Sequence, residues 1–162
     1  MASTRDDLIR RYAAGPALLR KTLERVAPEA LTFRPAPGKW SVHEVIIHCA
    51  DSETNAHMRI RYLVGEANPV IVGYDQDEWA RAFNYHALPL EPALATIAAV
   101  RANTVPLLRS LTESDWKKTG THSEVGAYGA EKWLETYAEH LEVHARQIER
   151  NMAAWNMVKG RG

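Results

Sequence analysis

Two histidines four residues apart are the residues of this sequence best suited to chemistry. His140 and His144 lie in the segment AEKWLETYAEHLEVHARQIER, residues 130–150, which has the periodicity of one long helix. At this spacing both imidazoles project from the same side of the helix, at the edge of its apolar stripe. Two imidazoles turned toward a core suit two ligands of one metal ion. Two unrelated histidines would give the same spacing, so a third ligand is needed elsewhere in the chain.

The segment HEVIIH offers that third ligand. His43 and His48 are five residues apart in a second predicted helix, about 140° around its axis, so both cannot face one site. His48 borders the apolar stripe, whereas His43 is expected to meet solvent. Bundles build metal sites from inward side chains on facing helices. We therefore predict a mononuclear site with open positions, formed by His48, His140 and His144.

Three further histidines are expected to be ordinary surface residues. His57 faces nearly away from His48 on the same helix, and His86 and His122 fall in connections. His122 is the alternative third ligand should His48 not bind the ion.

Two other kinds of metal site do not fit the residue types. The H-E-x-x-H motif of zinc proteases needs a glutamate where Leu141 stands. Di-iron bundles need E-x-x-H pairs, and no glutamate in the chain is followed three residues later by histidine. The remaining all-histidine site suits zinc or nickel best, although neutral imidazole also accepts iron or copper.

A polar stripe runs along the second helix beside its apolar face. Its members recur at spacings of three or four and are Glu44, His48, Ser52, Asn55, Arg59 and Tyr62. The stripe is either a solvated face or a pocket wall, and in the second case Ser52, Asn55 and Arg59 would bind substrate. Glu44 and Glu53 are the candidates for a catalytic general base. Glu53 projects into the apolar stripe, so it is either buried and paired or faces a cavity.

A three-histidine site could act in two ways. It could lower the pKa of a bound water to about 7 for hydrolysis, or hold a low-molecular-weight thiol as its thiolate for S-transfer to a small electrophile. We rank S-transfer ahead because Asn55 and Arg59 suit the carboxylates of a thiol co-substrate. The alternative is a stress-response bundle that binds a metal or small ligand without turnover.

Four amphipathic segments must position these residues. They cover about residues 4–26, 41–64, 92–111 and 130–150, and no persuasive strand alternation occurs between them. Capping-box residues start the first two segments, at Thr4 with Asp7 and at Ser41 with Glu44. The fold class is therefore all-α, a four-helix bundle in a single domain spanning 1–162. The long stretch 65–90, with a short helix in YDQDEWARAF, would connect the second and third long helices.

Three local expectations complete the fold prediction. Pro16, after Gly15, should kink the first helix or shift its start. Trp40 should pack on Val45 as a hydrophobic staple ahead of the second helix. The segment KTGTHSEVGAYG should form a glycine-bearing loop that leads into the histidine helix.

Composition excludes several classes of function. The 162 residues carry 20 basic and 20 acidic side chains, without a basic face that would favour nucleic acid. No apolar run is long enough for a membrane span, and no signal peptide is recognisable at the start. The single Cys49 agrees with a reducing compartment, so we expect a cytoplasmic protein with a small-molecule substrate and neither nucleic acid nor membrane as partner.

Four segments together resemble a known family. GKWSVHEVIIHCADSE, YDQDEWA, LLRSLTESDWKKT and EHLEVHARQI are similar in order and separation to the DinB-like bundles, and within them to the YfiT-type metal-dependent hydrolases or thiol transferases. The resemblance covers nearly the whole chain. It implies a four-helix bundle with a crossover connection, often a homodimer, and a metal held by His48, His140 and His144. Some members of this group carry further histidines where this chain has Ile47, Glu53 and Val143, which bears on the substrate.

Overall fold

Four long helices form a bundle in the computed structural model, which describes residues 3–160. In chain order the helices and strands are α1 (Arg5–Leu23), α2 (Val42–Gly65), β1 (Val70–Ile71), α3 (Gln76–Ala82), α4 (Leu90–Ser110), α5 (Glu113–Trp116), β2 (Thr119–His122), β3 (Gly126–Gly129) and α6 (Ala130–Lys159). Capping boxes at Thr4 and Ser41 start α1 and α2 as predicted. The histidine helix α6 continues well beyond its predicted end near residue 150. Among the described residues, no helix combines the length and apolarity that crossing a membrane requires.

Helices that pack side by side in the bundle do not always follow one another in the chain. Both α1 and α2 pack against α4 and α6. Glu53 of α2 bonds Arg101 of α4, and His57 bonds Thr104 further along, so these adjacent helices run in the same direction. Residues 66–89 must therefore return the chain along the length of the bundle. This confirms the predicted four-helix bundle with a crossover connection between the second and third long helices.

A small three-stranded sheet corrects the expectation of a loop before α6. Strand β2 pairs in parallel with β1 and in antiparallel with β3, so the segment after α5 is a hairpin. The strands have only two to four residues, and β2 and β3 are rich in glycine. The parallel pair depends on β1, which is distant in sequence, and the strands are too short for local alternation to reveal them.

The hydrophobic core is divided by a buried pair of charges. One cluster of core residues includes Tyr12, Ile60 and Trp133, and the other includes Leu19 and Ile46. Between them on α2 and α4 lie Glu53 and Arg101, which we call the charged layer; both side chains are at most 1% exposed. The layer joins the helices at the level of the histidines of α6.

Helix α1 runs continuously from Arg5 through Pro16, so of the two expected outcomes the shifted start does not occur. A proline inside a helix leaves the carbonyl four residues earlier without its usual donor. That carbonyl belongs to Tyr12, and it accepts a hydrogen bond from Nη1 of Arg101 at 2.5 Å. Gly15 makes the approach possible, because a Cβ at this position would lie 2.5 Å from the same Nη1. The Gly15-Pro16 pair thus provides both the space and the free carbonyl that the buried guanidinium of Arg101 needs.

Candidate metal centre

The structure brings the three predicted ligands together. His48 of α2 meets His140 and His144 of α6, and one nitrogen from each ring lies within 4.8 Å of the others. The ring centroids are 5.7 Å apart for His48 and His140, 4.9 Å for His48 and His144, and 4.6 Å within α6. We call these three residues the histidine cluster. Convergence of one imidazole from α2 and two from α6 is the geometry expected of a bundle metal site.

Hydrogen bonds fix two of the three rings. Nδ1 of His140 lies 2.9 Å from Oε1 of Glu53, and Nδ1 of His144 lies 2.9 Å from Oε1 of Gln147. A carboxylate only accepts, so Nδ1 of His140 donates this hydrogen bond and its Nε2 is the nitrogen left to face a ligand. Metal-binding histidines are held by such partners in many proteins. Nδ1 of His48 is buried and has no hydrogen-bond partner within residues 3–160, which fits a nitrogen that binds a ligand.

Two of the three imidazoles, those of His48 and His144, are held neutral by their surroundings. Burial, assisted by the other two histidines, lowers the pKa of His48 to about 2. Burial and the neighbouring His140 likewise lower the pKa of His144 to about 4. Neutral rings are the form that coordinates a metal ion. The donor set, burial and fixed ring orientations therefore fit a divalent metal.

Glu53 belongs to the charged layer, and both of its carboxylate oxygens already accept hydrogen bonds. It accepts hydrogen bonds from Nε and Nη2 of Arg101 at 2.8 and 2.6 Å, and from His140. Burial opposes ionisation of Glu53, but Arg101 and His140 outweigh it and hold the pKa below its ordinary value. Of the two alternatives drawn from the sequence, buried and paired is the one observed.

Glu44, the other candidate base, is part of the capping box at the start of α2. Its carboxylate accepts from the backbone N–H of Ser41 and forms a two-bond pair with Arg34. Burial raises its pKa, but the bonds to Arg34 and Ser41 prevail and lower it. Neither candidate carboxylate is free to take a proton from a substrate.

The predicted substrate residues continue along α2 from the histidine cluster. Ser52 is buried, and Asn55 donates to the carbonyl of Asp51 in its own helix. Arg59 is half-buried and donates to the Tyr137 hydroxyl at 3.1 Å and the Val72 carbonyl at 2.8 Å. No carboxylate within residues 3–160 forms a salt bridge with it, so its charge stays available for an anion.

Two aromatic residues make contacts that the sequence did not indicate. The ring of Tyr74, on the crossover connection, lies 5.9 Å from the guanidinium carbon of Arg59, and its buried hydroxyl has no hydrogen-bond partner among residues 3–160. Burial raises the pKa of Tyr74 to about 12, so the hydroxyl is a donor at neutral pH. Trp40 packs against the core cluster that contains Val45, and its ring centroid lies 4.8 Å from that of His48. Trp40 thus forms a wall of the metal centre as well as a contact at the start of α2.

The remaining histidines lie outside the cluster. His43 bonds the Leu88 carbonyl, His57 bonds Thr104, and His86 bonds Ser41. His122 is only 8% exposed, which corrects the expectation of a surface residue. Strand β2 buries its ring beside Tyr128, a consequence of the hairpin that the sequence did not reveal.

These features define a class of protein: a helical bundle with a crossover connection and a buried three-histidine centre between α2 and α6. The chain belongs to the DinB superfamily, to which residues 11–148 match. It is 38% identical over 133 residues to a protein of Oceanobacillus iheyensis, covering 82% of this chain and 77% of that one. It is 31% identical over 137 residues to one of Geobacillus kaustophilus, covering 82% and 75%. Both relatives are provisionally named metal-dependent hydrolases.

Solved structures show the same fold. YfiT from Bacillus subtilis, described as a probable metal-dependent hydrolase with an unusual four-helix bundle topology, superposes with a TM-score of 0.87 at 24% identity, over 96% of this chain and 91% of that one. A mycothiol-dependent maleylpyruvate isomerase superposes with a TM-score of 0.70 at 14% identity, over 90% of this chain and 61% of that one. The resemblance seen in the sequence motifs is confirmed.

Proposed function

We propose that this protein is a metal-dependent enzyme that transfers a low-molecular-weight thiol to a small electrophile. His48, His140 and His144 would hold one divalent ion, zinc or nickel. The observation that carries the proposal is the convergence of three imidazoles at a centre whose nearby candidate carboxylates, Glu44 and Glu53, are both already paired with arginines. A reaction at this centre must therefore obtain its nucleophile without a side-chain base.

The ion would supply Lewis acidity that keeps a thiol deprotonated at neutral pH. The protein supplies orientation and exclusion of water. Glu53 and Gln147 fix the rings of His140 and His144, and Trp40 covers His48, which is 2% exposed. In the reaction the thiol sulfur bonds to an electrophilic carbon, the leaving group departs with its electron pair, and the thiol proton passes to solvent.

The thiol would lie on the Arg59 side of the histidine cluster. Arg59 has no acidic partner in the described chain, and donor groups of Ser52 and Tyr74 are nearby on the same side of α2. A guanidinium with neighbouring hydroxyls suits a carboxylate on the thiol. This makes Arg59 a binding residue and leaves the ion to the histidines.

Hydrolysis is the second candidate. The provisional names of relatives at 31–38% identity favour it. The same ion would activate water in place of the thiol, and the three histidines would serve both reactions. A bundle that binds metal without turnover is the remaining alternative.

Turnover assays separate these candidates. Zinc- or nickel-loaded protein should accelerate formation of the thioether from glutathione and 1-chloro-2,4-dinitrobenzene, and metal-stripped protein should not. A tripeptide thiol is the suitable probe because Arg59 follows His48 by about three helical turns, roughly 16 Å along α2. Arg59→Met should raise the KM for glutathione by about tenfold with the metal content intact, because a charged hydrogen bond is lost. The KM for glutathione diethyl ester, in which both carboxylates are esterified, should not change. Metal-dependent hydrolysis of p-nitrophenyl acetate without thioether formation would instead support the hydrolase, and absence of both would overturn the enzyme.

A further inference from the structure

A cavity lies at the start of α2, on the side of the metal centre where Trp40 is found. It has a volume of about 390 Å³ and lies between residues 34–40, α3 and the first turn of α2. Ligand pockets in proteins have volumes of roughly 300–1,000 Å³, so it can hold a small organic molecule. We call it the Trp40 cavity, and its lining includes Arg34, Lys39, Trp40, Ala80, Arg81 and Tyr85.

A tight turn builds one wall of the cavity. The backbone N–H of Lys39 donates to the Ala36 carbonyl at 3.1 Å, and Gly38 has a φ of +72°. Proline followed by glycine with positive φ is the signature of a type II turn, which Pro37 and Gly38 satisfy here. The turn brings Lys39 and Trp40 to the cavity in a fixed order, the cation first and the aromatic ring next.

Two cations at the rim of the cavity can contact a bound anion. Arg34 is neutralised by Glu44, and within residues 3–160 the only salt bridge of Arg81 is to the exposed Glu78 of its own helix. Lys39 forms no salt bridge within the same residues. Asp77 and Glu78 balance Lys39 and Arg81 in formal charge, but exposed ion pairs contribute little, so both cations can turn to a ligand.

The interior of the cavity is suited to a flat apolar body. Trp40, Ala80 and Tyr85 supply its apolar surface. The hydroxyl of Tyr85 is already bound to Asp51 at 2.5 Å, so it does not compete for the ligand. An aromatic wall below a cationic rim matches a ligand with a conjugated ring and one acidic group.

The Trp40 cavity and the histidine cluster share Trp40. None of the three histidines lines the cavity, but Trp40 does, and its ring centroid lies 4.8 Å from that of His48. Glu44 of the lining precedes His48 by one helical turn, whereas Ser52 and Arg59 follow it. The Trp40 cavity and the Arg59 side of the cluster are therefore displaced from His48 in opposite directions along α2, so each can hold a different substrate.

We propose that the Trp40 cavity binds the acceptor substrate of the transfer reaction, a small organic anion with a flat conjugated body. Lys39 and Arg81 bind its acidic group, and Trp40 contacts its conjugated part on the side of His48. The role of the anion as acceptor substrate rests on the proposed function. Binding of the anion to the Trp40 cavity does not depend on turnover.

A titration with two matched probes tests the cavity. Trans-cinnamate and cinnamyl alcohol have the same conjugated body and differ in charge. By isothermal titration at low salt, metal-stripped protein should bind cinnamate at least about tenfold more tightly than the alcohol, and the difference should shrink at high salt as ion pairs are screened. Equal binding of the two probes would overturn the proposal.

Charge variants identify where the probe binds. Lys39→Ala with Arg81→Ala should abolish the preference for cinnamate. The control removes two equally exposed cations elsewhere, Lys21→Ala with Arg150→Ala, and should retain it. Loss of the preference in the control as well would mean non-specific attraction and would overturn the site.

The turnover assay distinguishes the two proposals. Cinnamate should compete with the electrophile, raising its apparent KM severalfold in the loaded enzyme while the bound metal is unchanged. Turnover that is insensitive to bound cinnamate would overturn the assignment of the cavity as the acceptor site. Specific cinnamate binding by a protein without thioether formation would support the anion cavity and overturn the transferase.

Discussion

Two buried polar groups of residues meet on α2 and α6, and they differ in how completely their atoms are satisfied. In the charged layer, Arg101 bonds both oxygens of Glu53 and the carbonyls of Tyr12 and Tyr137. In the histidine cluster, Nδ1 of His48 has no hydrogen-bond partner in the described part of the chain. Glu53 links the two groups through its bond to His140.

The difference separates structural from functional polarity. A buried charge whose hydrogen bonds are all made holds the helices in one arrangement, and removing part of it leaves the rest stranded. Buried neutral nitrogens with free lone pairs add little to stability and keep the capacity to bind a cation. Substitutions in the charged layer should therefore mainly lower the free energy of unfolding, and substitutions in the histidine cluster should mainly lower the affinity for metal.

Removal of Arg101 should have the largest effect on stability. Arg101→Met leaves the Glu53 carboxylate buried without its main partner, which should lower the free energy of unfolding by about 3–5 kcal/mol. Urea unfolding of metal-stripped protein at pH 7 measures the change. Adding Glu53→Leu to this variant should recover much of the loss, since no buried charge remains. A single variant within about 1 kcal/mol of the parent would show that the layer is not a structural unit.

Acid should destabilise the metal-stripped protein through the histidine cluster. The folded pKa values of His48 and His144 lie below the ordinary value of about 6.5, so the unfolded chain binds more protons as the pH falls. Stability is thus fully present above about pH 7 and should fall by about 2 kcal/mol per histidine down to pH 5. Urea midpoints at pH 7, 6 and 5 measure the slope. His48→Leu should make it shallower, and an unchanged slope would remove the cluster as its source.

Loss of a ring-orienting bond should have a smaller effect, confined to the metal. Gln147→Leu removes the acceptor that fixes His144, and metal affinity should fall about tenfold, equivalent to about 1.4 kcal/mol. Competition with a chromophoric chelator measures the dissociation constant. Gln76→Leu, at an exposed position on α3, is the matched control. Equal affinity in the two variants would show that Gln147 does not orient the ligand.

The sequence predicted what local periodicity and residue type determine. The capping boxes at Thr4 and Ser41 and the facing positions of His140 and His144 followed from spacing alone. The partner of Glu53 was missed, although Arg101 lies among the apolar residues Ile97 and Leu108 of α4 and is itself an unusual charge on a buried stripe. A charge on the apolar stripe of α4, at the same depth as Glu53 on α2, was the signal that could have indicated the pair.

Other features depend on contacts between distant segments. The sheet is formed by strands too short to show alternation, and the burial of His122 follows from it. The path of α1 through Pro16 depends on a guanidinium supplied by α4. The Trp40 cavity depends on the crossover connection folding over the start of α2. The dimer and the cytoplasmic location stay predictions from the sequence.

Metal content of purified single-histidine variants tests the central claim most directly. Elemental analysis should find one zinc or nickel ion per chain in the parent protein, and most of it should be lost in His48→Ala, His140→Ala and His144→Ala. The controls His43→Ala and His57→Ala should retain it, because these side chains bond Leu88 and Thr104 outside the cluster. Full metal occupancy in folded His48→Ala protein would contradict the proposed centre of α2 and α6.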